Sequence, residues 1–185
     1  FVYNPSVKPT AKDYFNWAYY GGGAGLYYIG GHAEDGVKAY KHFRSNTGQH
    51  FVFDYEKAYR EDESIRIHVH KSIAEAQLES EKLFKTRKKT KFKMVSDAGK
   101  SGKPYAASEN WQKAIGKYKI WIGADVKVIS EKCFKMTIRV HAYDRYNFNK
   151  NDADISSGSK DADNGQFVVL GWAKDFSQFG ILYRD

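Results

Sequence analysis

The stretch that decides the fold is MTIRVHAYDRYNFN, residues 136–149. In its first part, apolar residues alternate with more polar ones: Met136, Ile138, Val140 and Ala142 against Thr137, Arg139, His141 and Tyr143. A period of two is typical of a β-strand that buries one face. The alternation ends in a polar and aromatic cluster that opens with Asp144. We therefore expect a strand end that holds side chains toward a site.

A second alternating segment precedes this strand. The even-numbered residues of 120–128 are apolar, and only a short connection at 130–133 separates the two segments. Two such segments predict an antiparallel hairpin. Further along, Gly165 leads into an apolar stretch that we interpret as a strand at 167–172, and 180–183 predicts one more strand.

The first half of the chain predicts helices. A short helix is expected at 36–43, and Asp54 is placed to cap another at 55–60. The longest predicted helix covers 65–86, where apolar residues recur at helical spacing after Asp62.

The aromatic stretch 13–20 could begin with Asp13 as an N-cap. Glycines crowd the next stretch, at 21–25 and 30–31, without the full spacing and context of a phosphate-binding loop. We interpret them as loop residues.

These elements predict an α+β fold, with N-terminal helices followed by an antiparallel sheet that could curl into an open β-barrel. At 185 residues the chain fits one domain. We expect a mainly helical part (1–94), a loop (95–110) and a β-rich part (111–185) that carries the site.

The charge of the protein favours an anionic partner. The formal net charge is +8, and Lys and Arg are dense in 82–93. This run could simply complement a helix C-terminus in solvent, or it could meet phosphate groups. No apolar run reaches the roughly 18 residues of a membrane-spanning helix, and no signal peptide is visible. Because the first residue is Phe1 rather than Met, we expect a processed or trimmed start.

Carboxylates gather around the end of the central strand: Asp144, Asp152, Asp154, Asp161, Asp163 and Asp175. No zinc motif, nucleophile elbow or complete EF-hand loop accompanies them, and the single Cys133 excludes an internal disulfide. A hard cation such as Mg²⁺, held by a few carboxylates and waters, fits this composition.

Three short motifs, in order, resemble those of colicin M-like bacteriocins. The stretch 144–149, DRYNFN, is similar to the family's Asp-x-Tyr-Asp-Phe-Asn. The segment 114–128 resembles the opening of the family's sheet, and His42-Phe43 with the 51–53 strand resembles its helix-to-strand passage. The resemblance covers about residues 40–149.

The resemblance implies an antibacterial toxin that hydrolyses the pyrophosphate of lipid II in the target-cell periplasm and so blocks peptidoglycan synthesis. It also implies secretion or delivery from a bacterium, an immunity protein as partner, and Mg²⁺ as cofactor. Pyrophosphate cleavage needs an activated water and neutralisation of charge on the phosphates.

On this interpretation several side chains receive roles. Asp144 orients water or metal and Tyr146 positions the phosphate. The expected catalytic residues are Asp144, Tyr146, Asn147 and His141; the substrate-binding residues are Arg145, Asn149 and Arg139; the metal ligands are Asp144, Asp152 and Asp154.

The sequence departs from the family at two points. Asn147 replaces the family's second aspartate, and Ala153 and Asp154 stand where the family has a His-Arg pair. Either the catalytic set is rebuilt, with His141 or a nearby aspartate, or the fold has another target.

Other interpretations remain open. Asp144 and Asn147 could only cap the loop at the strand end, as Asx turns do. The chain could be a non-catalytic binding module that recognises an envelope or protein partner. A nucleic-acid-binding or nuclease toxin rests on net charge and the 82–93 run alone, so nucleic acid is the less favoured partner.

Overall fold

The computed structural model describes residues 1–29, 31, 33–97, 105–131, 133–149 and 161–185. Within them the fold is α+β, as predicted. The helices are α1 (Ala11–Ile29), α2 (Glu34–Arg44), α3 (Tyr55–Glu61), α4 (Glu63–Arg87), α5 (Glu109–Ala114) and α6 (Asp161–Val169). The strands are β1 (Phe51–Val52), β2 (Lys91–Val95), β3 (Lys119–Ser130), β4 (Cys133–Tyr146) and β5 (Phe176–Arg184).

The strands form one open, mixed sheet in the order β1-β5-β4-β3-β2, which does not close into a barrel. β3 and β4 are antiparallel, with Ile122 opposite Val140 and Ala124 opposite Ile138. The even-numbered residues of both strands are buried in these pairs, which confirms the predicted hairpin and its buried face. β2, which pairs antiparallel with β3, falls in the basic run and was not predicted as a strand.

Three helices follow the predictions closely. The 36–43 helix is α2, and the Asp54 side chain accepts a hydrogen bond from the backbone N–H of Lys57 (2.8 Å) at the start of α3. Asp62 caps α4 in the same way, accepting from the N–H of Ile65 at 3.0 Å. Both caps satisfy amide donors that the first helical turn leaves unpaired.

The glycines at 21–25 were wrongly interpreted as loop residues, because they continue helix α1, whereas Gly31 lies in a turn after the helix with a positive φ of 68°. Thr10, not Asp13, begins the helix: its backbone N–H donates to Asp13 and its hydroxyl accepts from the Asp13 N–H, a reciprocal capping box. Gly21 has a packing reason to lack a side chain, since a Cβ there would lie 2.7 Å from a guanidinium nitrogen of Arg44. That guanidinium lies over the Trp17 ring, 3.4 Å from its centroid.

The predicted strand at 167–172 is also wrong, because its first half belongs to helix α6 and its second half forms a turn. Asp161 and Asp163 lie in its first turn, where carboxylates favour the positive end of the helix dipole. Asn164, Phe167 and Val168 are buried, which is the i, i+3, i+4 spacing of one helix face.

The backbone divides into two compact units, each built from three stretches of chain. The first unit contains Phe1–Val52, Ser108–Gly116 and Asp144–Gln178, and the second contains Phe53–Ala107, Lys117–Tyr143 and Phe179–Asp185. The first unit has an aromatic core around Phe43, Phe167 and Phe176. In the second unit α4 packs on β3 and buries Ile65 and Val69. None of the helices in the described part of the chain is long and apolar enough to cross a membrane.

Candidate active site

The first unit holds Asp144 near the C-terminal end of β4. Asp144 is an even-numbered residue of β4, so it lies on the same face of the strand as the buried residues Val140 and Ala142. Its carboxylate is partly buried. A carboxylate at a position that the pattern reserves for apolar residues requires compensation by neighbouring groups.

Gln178 on β5 provides this compensation. Its side chain is fully buried, and its Nε2 donates to Oδ2 of Asp144 at 2.8 Å. The same Nε2 donates to the backbone carbonyl of Ala114, at the end of α5, at 2.7 Å. Two acceptors therefore fix the orientation of the amide, and the amide in turn fixes the Asp144 carboxylate. The Oε1 atom of Gln178 is buried without a hydrogen-bond partner in the described structure.

The environment of Asp144 changes its proton affinity. Burial raises the pKa of Asp144 from 3.8 to about 7, although the hydrogen bonds from Gln178 and from the backbone N–H of Arg145 act in the opposite direction. A carboxylate with a pKa near neutrality can accept and release a proton at physiological pH. Such perturbed groups are frequent at functional sites, and they also occur where the role is structural.

A second carboxylate lies on the other side of the strand end. Arg145, next to Asp144, is exposed, and its Nη2 approaches Oδ2 of Asp175 at 4.0 Å. Burial raises the pKa of Asp175, and the positive charge of Arg145 opposes this shift. Among the predicted substrate-binding residues, Arg145 is the closest in sequence to Asp144. The distance between its guanidinium and the Asp175 carboxylate is at the upper limit for an ion pair.

Tyr146 belongs to an aromatic cluster of the first unit. Its ring stacks on Phe176 with centroids 4.9 Å apart and an interplanar angle of 12°, and it also contacts Phe43 and Phe148. The ring of His42 packs edge-on against the same Phe176, at 4.5 Å. This packing fixes the position of the tyrosine ring two residues beyond Asp144, on the same strand parity.

Asn147 and Asn149 contact each other beyond the strand end. Nδ2 of Asn147 donates to Oδ1 of Asn149 at 3.1 Å, and the backbone N–H of Asn149 donates to Asp161 in the first turn of α6 at 3.2 Å. Both asparagines are exposed. These bonds connect the residues after the strand end to one another and to the first turn of α6.

Two further predicted site residues lie in the second unit, on the opposite parity of β4. His141 stacks on Trp121 with an interplanar angle of 2° and centroids 5.1 Å apart, and Arg139 donates to Oδ2 of Asp125 at 3.0 Å. Burial and the neighbouring Arg139 lower the pKa of His141. Both residues therefore have side-chain partners of their own, Trp121 and Asp125. Neither lies on the face of β4 that carries Asp144.

Of the three predicted metal ligands, the structure describes Asp144, whereas Asp152 and Asp154 lie outside the described residues. The described residues contain no group of three or more His, Cys, Asp or Glu side chains that could hold a metal ion. Since Gln178 already engages one oxygen of Asp144, the described donors do not by themselves make a Mg²⁺ site.

Sequence reasoning missed Gln178 and gave no role to His42. Gln178 lies on the buried face of β5, between Phe176 and Gly180. A polar residue at a position that strand alternation assigns to the core was the signal that could have identified it. His42 was quoted only as part of a motif. It lies on α2, with Nε2 2.9 Å from the carbonyl of Gln49.

Comparisons with protein-family models, with curated proteins and with solved structures found no match to this chain. The resemblance to colicin M-like bacteriocins stays an expectation from its motifs.

Proposed function

We propose that this protein is a colicin M-like antibacterial toxin that hydrolyses the pyrophosphate linkage of lipid II or another lipid-linked phosphate. The observation that carries the proposal is the Asp144 carboxylate: a strand-end acid, oriented by Gln178, whose pKa is raised to about 7 by burial. It opens the 144–149 motif, one of the three that resemble this family of hydrolases.

The chemistry expected of such a site is the attack of water on phosphorus. Asp144 in its ionised form accepts a proton from the water as the new P–O bond forms. The P–O bond to the leaving group breaks with its electron pair, and the protonated carboxyl can return the proton to the leaving oxygen. A pKa near the working pH suits both halves of this cycle.

Charge neutralisation is the second requirement of the reaction. Arg145, which is exposed and follows Asp144 in sequence on the opposite parity of β4, is the candidate to contact the phosphates, and Tyr146 is the candidate to position them. Mg²⁺ remains part of the proposal as a cofactor of the whole protein.

The proposal places the reaction in the periplasm of a target cell, where lipid-linked precursors present their phosphates. It implies an immunity protein that protects the producing cell. Both follow from the resemblance and both need their own tests.

The direct test is hydrolysis of a defined set of substrates. Purified protein is incubated with lipid II, with RNA and with single-stranded DNA, each in Mg²⁺ and in EDTA. We expect phosphate- or pyrophosphate-containing products from lipid II only, lost in EDTA and restored by Mg²⁺. Cleavage of nucleic acid with lipid II intact would make the protein a nuclease toxin. Lipid II that is bound but not cleaved would favour the non-catalytic binding module.

A further inference from the structure

The second unit presents a lysine-rich sheet surface that the sequence did not reveal as one feature. Lys91 and Lys93 on β2, Lys127 on β3 and Lys135 on β4 line an open groove of about 450 Å³. We call these four residues the lysine face. Only the first two belong to the basic run 82–93, so the pairing of three strands assembles the surface.

The strand register places like charges side by side. Lys91 is directly opposite Lys127, and Lys127 is directly opposite Lys135. Like charges at opposite positions of an antiparallel pair destabilise the sheet. An anionic partner across the three strands would remove this repulsion.

The carboxylate that lines this groove, Asp125, does not neutralise the row of lysines. Asp125 is approached by Lys93 at 3.5 Å and by Arg139 at 3.0 Å. In the part of the chain that the structure describes, no carboxylate forms an ion pair with Lys91, Lys127 or Lys135. All three side chains are exposed.

Apolar side chains adjoin the charges. Val95, on the exposed parity of β2, is 74% exposed, and Ile129, two residues after Lys127, is 57% exposed. Lysines beside exposed aliphatic groups suit a lipid surface, because the ammonium groups meet the phosphates while the aliphatic groups enter the interface. Nucleic acid would instead favour aromatic rings with exposed faces, whereas the aromatic residue that lines this groove, Phe92, lies on the half-buried side of β2.

We propose that the lysine face docks the second unit onto the surface of an anionic phospholipid bilayer. The proposal is independent of catalysis at Asp144, since it concerns only Lys91, Lys93, Lys127 and Lys135. Positive net charge supports the approach of the whole protein to such a surface.

The test measures partitioning onto vesicles that contain phosphatidylglycerol and phosphatidylcholine but no lipid-linked pyrophosphate. The triple variant Lys91→Gln, Lys127→Gln, Lys135→Gln is compared with a control of equal charge, Lys8→Gln, Lys71→Gln, Lys117→Gln, whose side chains are exposed elsewhere. A lysine near an anionic surface contributes about fivefold to partitioning, so we expect a roughly hundredfold loss for the triple variant and a much smaller one for the control. Replacement of the same three lysines by Arg should keep binding.

Two results would overturn the proposal: equal losses in the two triple variants, or tighter, lysine-dependent binding to a single-stranded DNA oligonucleotide than to the vesicles. Thermal unfolding checks the variants, and the triple variant should be at least as stable as the wild type because like-charge repulsion is reduced. If it does not fold, Lys127→Gln alone carries the test with an expected loss of about fivefold. Lipid II hydrolysis does not enter any of these measurements, so a failure here leaves the proposed function standing.

Discussion

At the scale of single residues, two features determine the behaviour of Asp144. Its carboxylate accepts a hydrogen bond from the Gln178 amide, and it is partly buried. The amide hydrogen bond favours the ionised form and burial opposes it, and burial is the larger effect. Because the pKa in the folded protein lies above 3.8, the folded state binds the proton more tightly than the unfolded chain does. The free energy of unfolding therefore falls as pH rises from about 4 to about 7.

This linkage predicts how the Asp144→Asn variant behaves, whatever the function is. Asparagine has no charge to desolvate, so the variant should become more stable relative to the wild type as the pH rises from about 4 to about 8. The shift corresponds to at most about 4 kcal/mol, and because the side chain retains some solvent contact we expect roughly 1–3 kcal/mol. Denaturant unfolding of both proteins at the two pH values measures it. A stability difference that does not change with pH would show that burial does not shift the pKa of Asp144.

Asp144 was singled out in the sequence because strand parity and a motif both pointed to it, and its role in a site stays a prediction. Gln178 could not be found in this way, since its role depends on the pairing of β5 with β4 and on the end of α5 reaching the same place. Long-range contacts of this kind have no local sequence signal. His141 and Arg139 were expected at the site from their nearness in sequence, whereas strand alternation turns them to the other face.

At the scale of elements, the contact between α2 and α5 has a side-chain basis that sequence reasoning did not reveal. Asn110 on α5 accepts hydrogen bonds from the backbone N–H groups of Asp35 (2.8 Å) and Gly36 (3.1 Å), and donates to the Asp35 carboxylate (2.9 Å). The preceding N-cap residue, Ala33, makes no side-chain cap. A residue from another helix therefore caps α2.

This close approach predicts opposite effects at two glycines. A Cβ at Gly36 would lie 2.5 Å from Cβ of Lys113, so Gly36→Ala should destabilise the protein by about 1–3 kcal/mol. Gly22, inside α1, has nothing within 4 Å of the corresponding position, so Gly22→Ala should be neutral or stabilising by up to about 1 kcal/mol. Urea unfolding of both variants tests the pair. Equal effects would mean that the α2–α5 contact is looser than described.

Two of the helices that were predicted well, α3 and α4, carry their own start signals, Asp54 and Asp62. The two segments that were predicted wrongly lack such clarity. In α1, several glycines lower helix propensity, and tertiary packing such as that of Arg44 on Trp17 overrides the local preference. In α6, a short apolar run was compatible with either a strand or a helix, and only the buried positions distinguish the two.

At the scale of the whole molecule, the positive charge predicted an anionic partner without saying where it would bind. The sheet register brings lysines from three strands together on the lysine face of the second unit. The first unit contains the Asp144 carboxylate, on which the proposed hydrolysis depends. The α+β class followed from periodicity alone. The division into two units did not, because each unit combines distant stretches of the chain.

The measurement that tests the central claim most directly is the rate of lipid II hydrolysis by Asp144→Asn. Asparagine keeps the shape of the side chain but loses the proton-accepting carboxylate, so we expect the rate to fall by on the order of a hundred- to ten-thousand-fold. Asp54→Asn is the matched control, since Asp54 is an exposed helix cap and asparagine caps about as well as aspartate. It should retain the wild-type rate. A wild-type rate in a folded Asp144→Asn variant would contradict the catalytic role of Asp144.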